Sequence, residues 1–260
     1  MRSLICLSLV LLVLFGCAAN KPAVNPATSD SAVAESPRDS LRAKFQLTIV
    51  NADGSKQEFD AVLFSVPGKR YRMELTGPLG IGVASMLWTE GGWQMTFPTE
   101  KLYVKGVGYM VGLLNDRTLP LVHIHQVADL FDGRLLPGKS EYVELVADSV
   151  PESMRVEGAA YGRENSGRVF SYAREPAGGE SPEKAHVSWL SRMGRDGKLE
   201  TLRFYDFKVF EGVETPSKVV FELGGKMFLE IRIKKVARNK PFSSGTWRLN
   251  IPKSFKQVGE

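Results

Sequence analysis

The chain has 260 residues and 28.7 kDa, with 43% hydrophobic residues, 24% charged residues and a formal net charge of +5. That is enough chain to bury a sizeable core in one large or two small domains, and the composition excludes both wholesale disorder and a polytopic membrane protein. The two cysteines, Cys6 and Cys17, lie within the first 17 residues, which excludes a disulfide-dense scaffold.

Arg2 opens the chain with a positive charge, and Leu4 to Phe15 is a run of twelve residues that are apolar apart from Ser8. A spanning helix needs about 20 apolar residues to cross roughly 30 Å of hydrocarbon, so this run is too short to span and fits the core of a secretory signal peptide. It ends in Leu14-Phe15-Gly16-Cys17, which resembles the bacterial lipobox. The lipobox resemblance implies cleavage after residue 16, a diacylglycerol thioether on Cys17 and an N-acyl chain on its new amine. No other cofactor is expected. Each buried CH₂ contributes ~0.8 kcal/mol, so three acyl chains give a stable anchor. Ala18, standing where Asp resembles an inner-membrane retention signal, points to the periplasmic face of the outer membrane. Residues 17–40 then read as a lipidated cysteine and a tether, small and polar with three prolines and no apolar periodicity.

From Ala43 the pattern alternates with period two, as a half-buried strand does. Phe45, Leu47 and Ile49 share one face. Asn51 to Ser55, with Asp-Gly at its centre, reads as a turn into a second strand over 57–66. Pro67-Gly68-Lys69 turns again, and Tyr71, Met73 and Leu75 alternate with Arg70, Arg72 and Glu74. Further strands are expected over 81–89, 92–98 and 101–105. The period then changes to that of short helices over Tyr109–Leu114 and Val122–Phe131, a helical insertion at about 107–132. Residues 139–184 carry no readable pattern and include a loop over Ala173–Glu183. Strands resume over 186–193, 199–210, 217–223, 226–236 and 244–250, with a slip of phase between Phe204 and Phe207 that suggests a bulge. The expectation is a mainly β domain over 41–256: an open antiparallel half-barrel closed by short helices.

Motifs that carry chemistry are present but lack their contexts. Gly133 to Ser140 spells the phosphate-loop pattern G-x₄-G-K-S, yet that loop needs a strand before it and a helix after it so that backbone N–H groups face the phosphates. Here a helix precedes it and Pro137 stiffens it. His123, His125 and His186 are the only imidazoles and, without a thiolate or an H-E-x-x-H, suggest no metal site. No G-x-S-x-G elbow supports a serine hydrolase. No catalytic residue is assigned and no enzyme activity is expected. The basic residues are interspersed, as on solvated strand faces, and an exported chain has no nucleic acid to meet.

Gly68-Lys-Arg-Tyr71-Arg-Met-Glu-Leu75-Thr-Gly-Pro78-Leu79-Gly80 resembles the outer-membrane lipoprotein receptor LolB and its relatives, which carry an R-Y-R strand running into L-T-N-P-L-G. Tyr109 to Leu114, Leu119-Pro-Leu121 and Leu136-Pro137-Gly138 resemble the same family's helical segment and its end. The resemblance covers roughly residues 41–138, and Gly77 stands where the family often has Asn. It implies a LolA/LolB-type fold whose apolar cavity holds the acyl chains of lipoprotein cargo, received from a LolA-like periplasmic chaperone and released into membrane lipid. It also implies that the turn Pro78, Leu79, Gly80 enters the bilayer. Leu79 on such a turn is otherwise explained by folding back into the core. Tyr71, Met73, Leu75, Met86, Trp88, Met95 and Met110 are expected to line the cavity, though the same side chains suit an ordinary core. Two readings therefore stay open: a monomeric receptor that binds acyl chains, or a structural adaptor lipoprotein with a packed interior and a protein partner.

Overall fold

The computed structural model describes residues 40–51, 53–108, 124–176, 185–194 and 197–258. The signal segment, Cys17, the tether and the expected helix at Tyr109–Leu114 lie outside the described residues. Among them are fourteen strands in one sheet: β1 (Leu41–Val50), β2 (Lys56–Val66), β3 (Arg70–Thr76), β4 (Gly82–Thr89), β5 (Gly92–Phe97), β6 (Leu102–Gly106), β7 (Tyr142–Leu145), β8 (Ala160–Glu164), β9 (Val169–Pro176), β10 (Ala185–Met193), β11 (Leu199–Phe210), β12 (Val213–Leu223), β13 (Lys226–Arg238) and β14 (Lys256–Gln257). One helix, α1 (Ile124–Phe131), stands between β6 and β7. The order across the sheet is β14-β6-β5-β4-β3-β2-β1-β13-β12-β11-β10-β9-β8-β7. Two meanders thus meet where β1 pairs with β13, and all neighbours are antiparallel except β14 on β6.

The alternation that marks each strand also selects its inner face. Leu41, Ala43, Phe45 and Leu47 of β1 are buried beside Ala61 and Leu63 of β2, Tyr71 of β3, Met86 and Trp88 of β4, and Met95 of β5. From the other meander Phe170, Tyr172, Phe204, Val219, Phe221, Ile231 and Ile233 join the same core. Helix α1 packs its apolar stripe of Val127, Ala128, Leu130 and Phe131 into it, against β3 and β12. These two strands are separated in the sheet by three others, so the helix bridges the two meanders. Phe131, 0% exposed, meets Phe45 with ring centroids 5.2 Å apart.

Two chain segments cover the opposite face. Residues 146–159 bury Val150 and Met154 over Tyr161, Val169, Met193 and Leu199. The Tyr161 hydroxyl ties this cover down, accepting from the Val156 N–H and donating to the Val156 carbonyl. On the other side, Phe242 and Trp247 pack edge-on beside Phe64, and Arg70 lies over the Trp247 ring.

Several expectations are corrected here. The region 139–184 is not patternless: it holds β7, β8 and β9. In β9 Phe170, Ser171 and Tyr172 are all buried because both faces are covered, so no alternation survives in the sequence. The stretch 173–176 of the expected loop belongs to that strand. The expected strand over 244–250 is instead a 3₁₀ turn, Ser244–Trp247, followed by irregular chain. Its carbonyls at Gly245, Thr246 and Arg248 accept hydrogen bonds from the Arg72 guanidinium in place of a ladder. The phase slip in β11 is a left-handed Asp206 (φ 55°), and the register with β12 is the same on both sides of it, so no residue is inserted. Only one of the two expected helices lies within the described residues, where it runs over Ile124–Phe131; Val122 and His123 of that expectation lie outside them.

Candidate functional site

Two features on or beside the R-Y-R strand β3 stand out. The first is the turn that follows it. The pairing of β3 with β4 shifts register between Leu75 and Thr76, a bulge that re-aims the chain just before it leaves the sheet. Gly77 donates its N–H to the Ile81 carbonyl (2.8 Å), and Gly80 donates back to the Gly77 carbonyl (3.3 Å). Within that frame Pro78–Gly80 make a single 3₁₀ turn in which Leu79 takes φ 63°, ψ 16°. A residue with a Cβ in the left-handed region is strained, and such strain persists only where surrounding structure fixes it. Leu79 is 97% exposed, and Ile81 two residues on is 58% exposed. A Cβ at Gly77 would press on Val83 Cγ2 at 3.1 Å, so a side chain there needs Val83 to give by a few tenths of an ångström.

The second feature is a cavity of about 830 Å³ between the inner face and the segment that leaves α1. Leu130, Leu135, Leu136, Leu190 and Leu202 form its apolar part, with Tyr71 on the side of β3. Asp129, Arg134, Glu141, Glu164 and Arg192 make its remainder charged. Tyr71 accepts the Gly68 N–H at 2.9 Å, and burial pushes its hydroxyl above the ordinary value of 10.0. Burial likewise holds the Asp129 carboxyl above the usual 3.8, against the pull of the Arg134 guanidinium 2.6 Å away.

Gly133 ends α1 in a left-handed conformation (φ 70°), with a close approach that a side chain would block: a Cβ there would meet the Glu214 carbonyl at 2.9 Å. The phosphate-loop pattern therefore begins where a helix stops, and the strand β7, not a helix, follows it. Asp132 pairs with Arg238 of β13 at 2.5 Å, and the same guanidinium donates to the Phe131 carbonyl, fastening the helix end to the sheet. His186 stacks on Phe207 at 4.2 Å with its Nε2 3.3 Å from Glu214. Among the described residues no group of three or more His, Cys, Asp or Glu side chains gathers as a metal site would need.

Of the residues expected to line an acyl cavity, Tyr71, Met86, Trp88 and Met95 are buried in the main core, and Met73 and Leu75 pack against it half-buried. All six share the inner face, and Tyr71 alone of them borders the cavity described above. Met110 and Cys17 lie outside the described residues. The charged rim of the cavity went unread in the sequence, because Asp129, Arg134, Glu141, Glu164 and Arg192 come from separated segments with no common spacing.

No known family profile and no curated protein matches the sequence. Solved structures do match the fold. A LolA superfamily protein from Nitrosomonas europaea superposes with a TM-score of 0.51 at 11% identity, over 86% of this chain and 99% of that one. A DUF1329 family protein from Desulfovibrio piger superposes at 0.50 with 13% identity, over 81% and 90%. The chain therefore has a LolA-like fold: mostly β, one long open antiparallel sheet, and little helix. At these identities the likeness is one of fold, and the narrower resemblance to LolB rests on the motifs of β3 and its turn and of the stretch from Tyr109 to Gly138.

Proposed function

We propose that the protein is an outer-membrane lipoprotein, anchored by acyl chains on Cys17, that takes up the acyl chains of other lipoproteins and helps insert them into that membrane. It acts without catalysis, as a monomer, on cargo brought by a LolA-like periplasmic chaperone. The observation that supports this reading best is Leu79: a leucine in strained backbone, held almost fully in water at the tip of a bulged turn. Water gives no reason for that arrangement, whereas transfer of a leucine side chain into hydrocarbon contributes about 1.5–3 kcal/mol. Cargo is handed over by differences in affinity for the acyl chains, and the inner face beside α1 is where they are held. Depletion of the protein is expected to accumulate lipoprotein intermediates in the periplasm, with Leu79→Asp reproducing the defect at normal protein levels. Unchanged lipoprotein sorting after depletion would refute it.

A structural adaptor with the same fold and a filled interior is the second reading. It is favoured by Tyr71, Met86, Trp88 and Met95, which are packed in the core. Mass spectrometry of lipid co-purified with the protein separates the two: bound lipoprotein acyl chains favour the receptor, and lipid-free protein with a stable protein partner favours the adaptor.

A further inference from the structure

Antiparallel pairing puts the turn 77–81 at the same end of the sheet as the turns 51–55, 98–101 and 224–225. By strand order the 51–55 and 98–101 turns are its direct neighbours, and 224–225 is next beyond 51–55. Lysines gather on these turns. Lys56 opens β2 and Lys226 opens β13 on one side of Leu79. On the other side Lys101 sits in a left-handed turn (φ 55°), and its carbonyl accepts the Lys256 N–H, which brings the Lys253–Lys256 stretch to the same place. All five lysines are exposed, and none has an ion-pair partner among the described residues. The acids of this end are fewer: Glu100 is exposed, Asp53 is bonded to the Ser55 N–H and hydroxyl, Glu58 accepts from Gln46, and Asp60, opposite Thr76, is paired with Lys234 at 2.6 Å.

We infer that this end of the sheet is a docking face for an anionic lipid bilayer, with Leu79 and Ile81 as its apolar centre and Lys56, Lys101, Lys226, Lys253 and Lys256 as a basic rim on phosphate headgroups. The inference rests on the membrane contact proposed for Leu79 and adds to it an orientation and a lipid class. A leucine alone enters any fluid bilayer, whereas each lysine near an anionic surface strengthens docking by about fivefold. The rim contribution is screened by salt and the apolar one is not, since the Debye length falls from about 10 Å at 0.1 M to about 3 Å at 1 M.

The test uses residues 18–260, made without the signal segment and without Cys17 so that no acyl chain holds the protein to the vesicle, with a polarity-sensitive fluorescent amino acid in place of Ile81. It is mixed with vesicles of phosphatidylcholine alone or with 30 mol% phosphatidylglycerol, where about 30 mol% gives a strongly negative surface. The expected result is a blue shift that is at least about 100-fold more sensitive to vesicle concentration with phosphatidylglycerol, a gain abolished by 1 M salt. Lys56→Glu, Lys101→Glu, Lys226→Glu and Lys256→Glu together abolish that gain, while Lys69→Glu with Lys208→Glu, which lie toward the other end, leave it intact. A blue shift equal in the two lipids, or unmoved by the four reversals, overturns the basic rim while the membrane contact of Leu79 stands. No blue shift in either vesicle overturns both.

Discussion

The two ends of the sheet handle their apolar residues in opposite ways. At the end that carries the turn 77–81, a bulge and a left-handed residue hold Leu79 out in water. At the other end, where β13 finishes, the helix α1 turns Phe131 inward until it is fully buried, and Arg238 locks the helix terminus with an ion pair and a backbone hydrogen bond. Both places spend conformational freedom on fixing one large apolar side chain, but only at Phe131 does the fixed side chain gain contacts within the chain. The difference teaches that stability and exposure were separated along the sheet. The core runs along the strands to both ends, and the turn 77–81 stands beyond it, free to meet something outside the molecule.

The largest effect that tests this contrast is Phe131→Ala. Removing a buried aromatic ring leaves a cavity against Phe45, and we expect a loss of about 3–5 kcal/mol in urea unfolding, whereas Leu79→Ala stays within about 0.5 kcal/mol of the parent. Equal costs at the two positions would erase the contrast. The next largest is Arg238→Met. It takes the Arg238 donor from the Phe131 carbonyl and from the Asp132 carboxylate, whose side chain is 18% exposed and keeps only the longer contact with Arg134 at 3.2 Å. We expect about 2–3 kcal/mol, read from the denaturation midpoint with an unchanged slope.

How much of this was legible in sequence differs between the same two ends. Period-two alternation located β1 to β6 to within two residues, and Pro-Leu-Gly after the R-Y-R strand marked the exposed turn, because turn chemistry is local. The left-handed state of Leu79 was not legible, since leucine does not favour it and the neighbouring glycine would have been the natural choice. Arg72 lies on the outward parity of β3 and reads as solvated, but it holds three carbonyls of a segment more than 170 residues away. The inward parity of Tyr71, Met73, Leu75, Met86, Trp88 and Met95 was equally plain. Their packing was not, because it depends on α1 and on the second meander, which reach the inner face only through the fold.

A third test probes the cavity beside the buried end. Burial raises the Asp129 carboxyl above 3.8, so the folded protein holds this proton more tightly than the unfolded chain does. The stabilising contribution of the neutral carboxyl is therefore complete below pH 3.8, and it is lost as pH rises through the raised folded-state value. Asp129→Asn removes the titration. The stability of the variant relative to the parent should accordingly rise with pH across that window, as measured by urea unfolding at stepped pH. A relative stability that falls with pH would mean that the ion pair with Arg134 outweighs burial.

The smallest effect separates strain from function at the exposed end. Leu79→Gly relieves a left-handed leucine, a conformation that costs roughly 1–2 kcal/mol with a Cβ and almost nothing without one. Glycine also gives the unfolded chain more freedom, which returns about 0.4–1 kcal/mol of that gain. The net expectation is a protein more stable by up to about 1 kcal/mol, seen as a small rise in thermal midpoint, since Leu79 makes no buried contact to lose. The same substitution should weaken association with vesicles, because the side chain that enters hydrocarbon is gone. A gain in stability joined to a loss of membrane contact is what a strained, outward-facing leucine predicts. If Leu79→Gly instead destabilised the fold, the turn would be gripping that side chain for structural reasons, and the contrast between the two ends would fail.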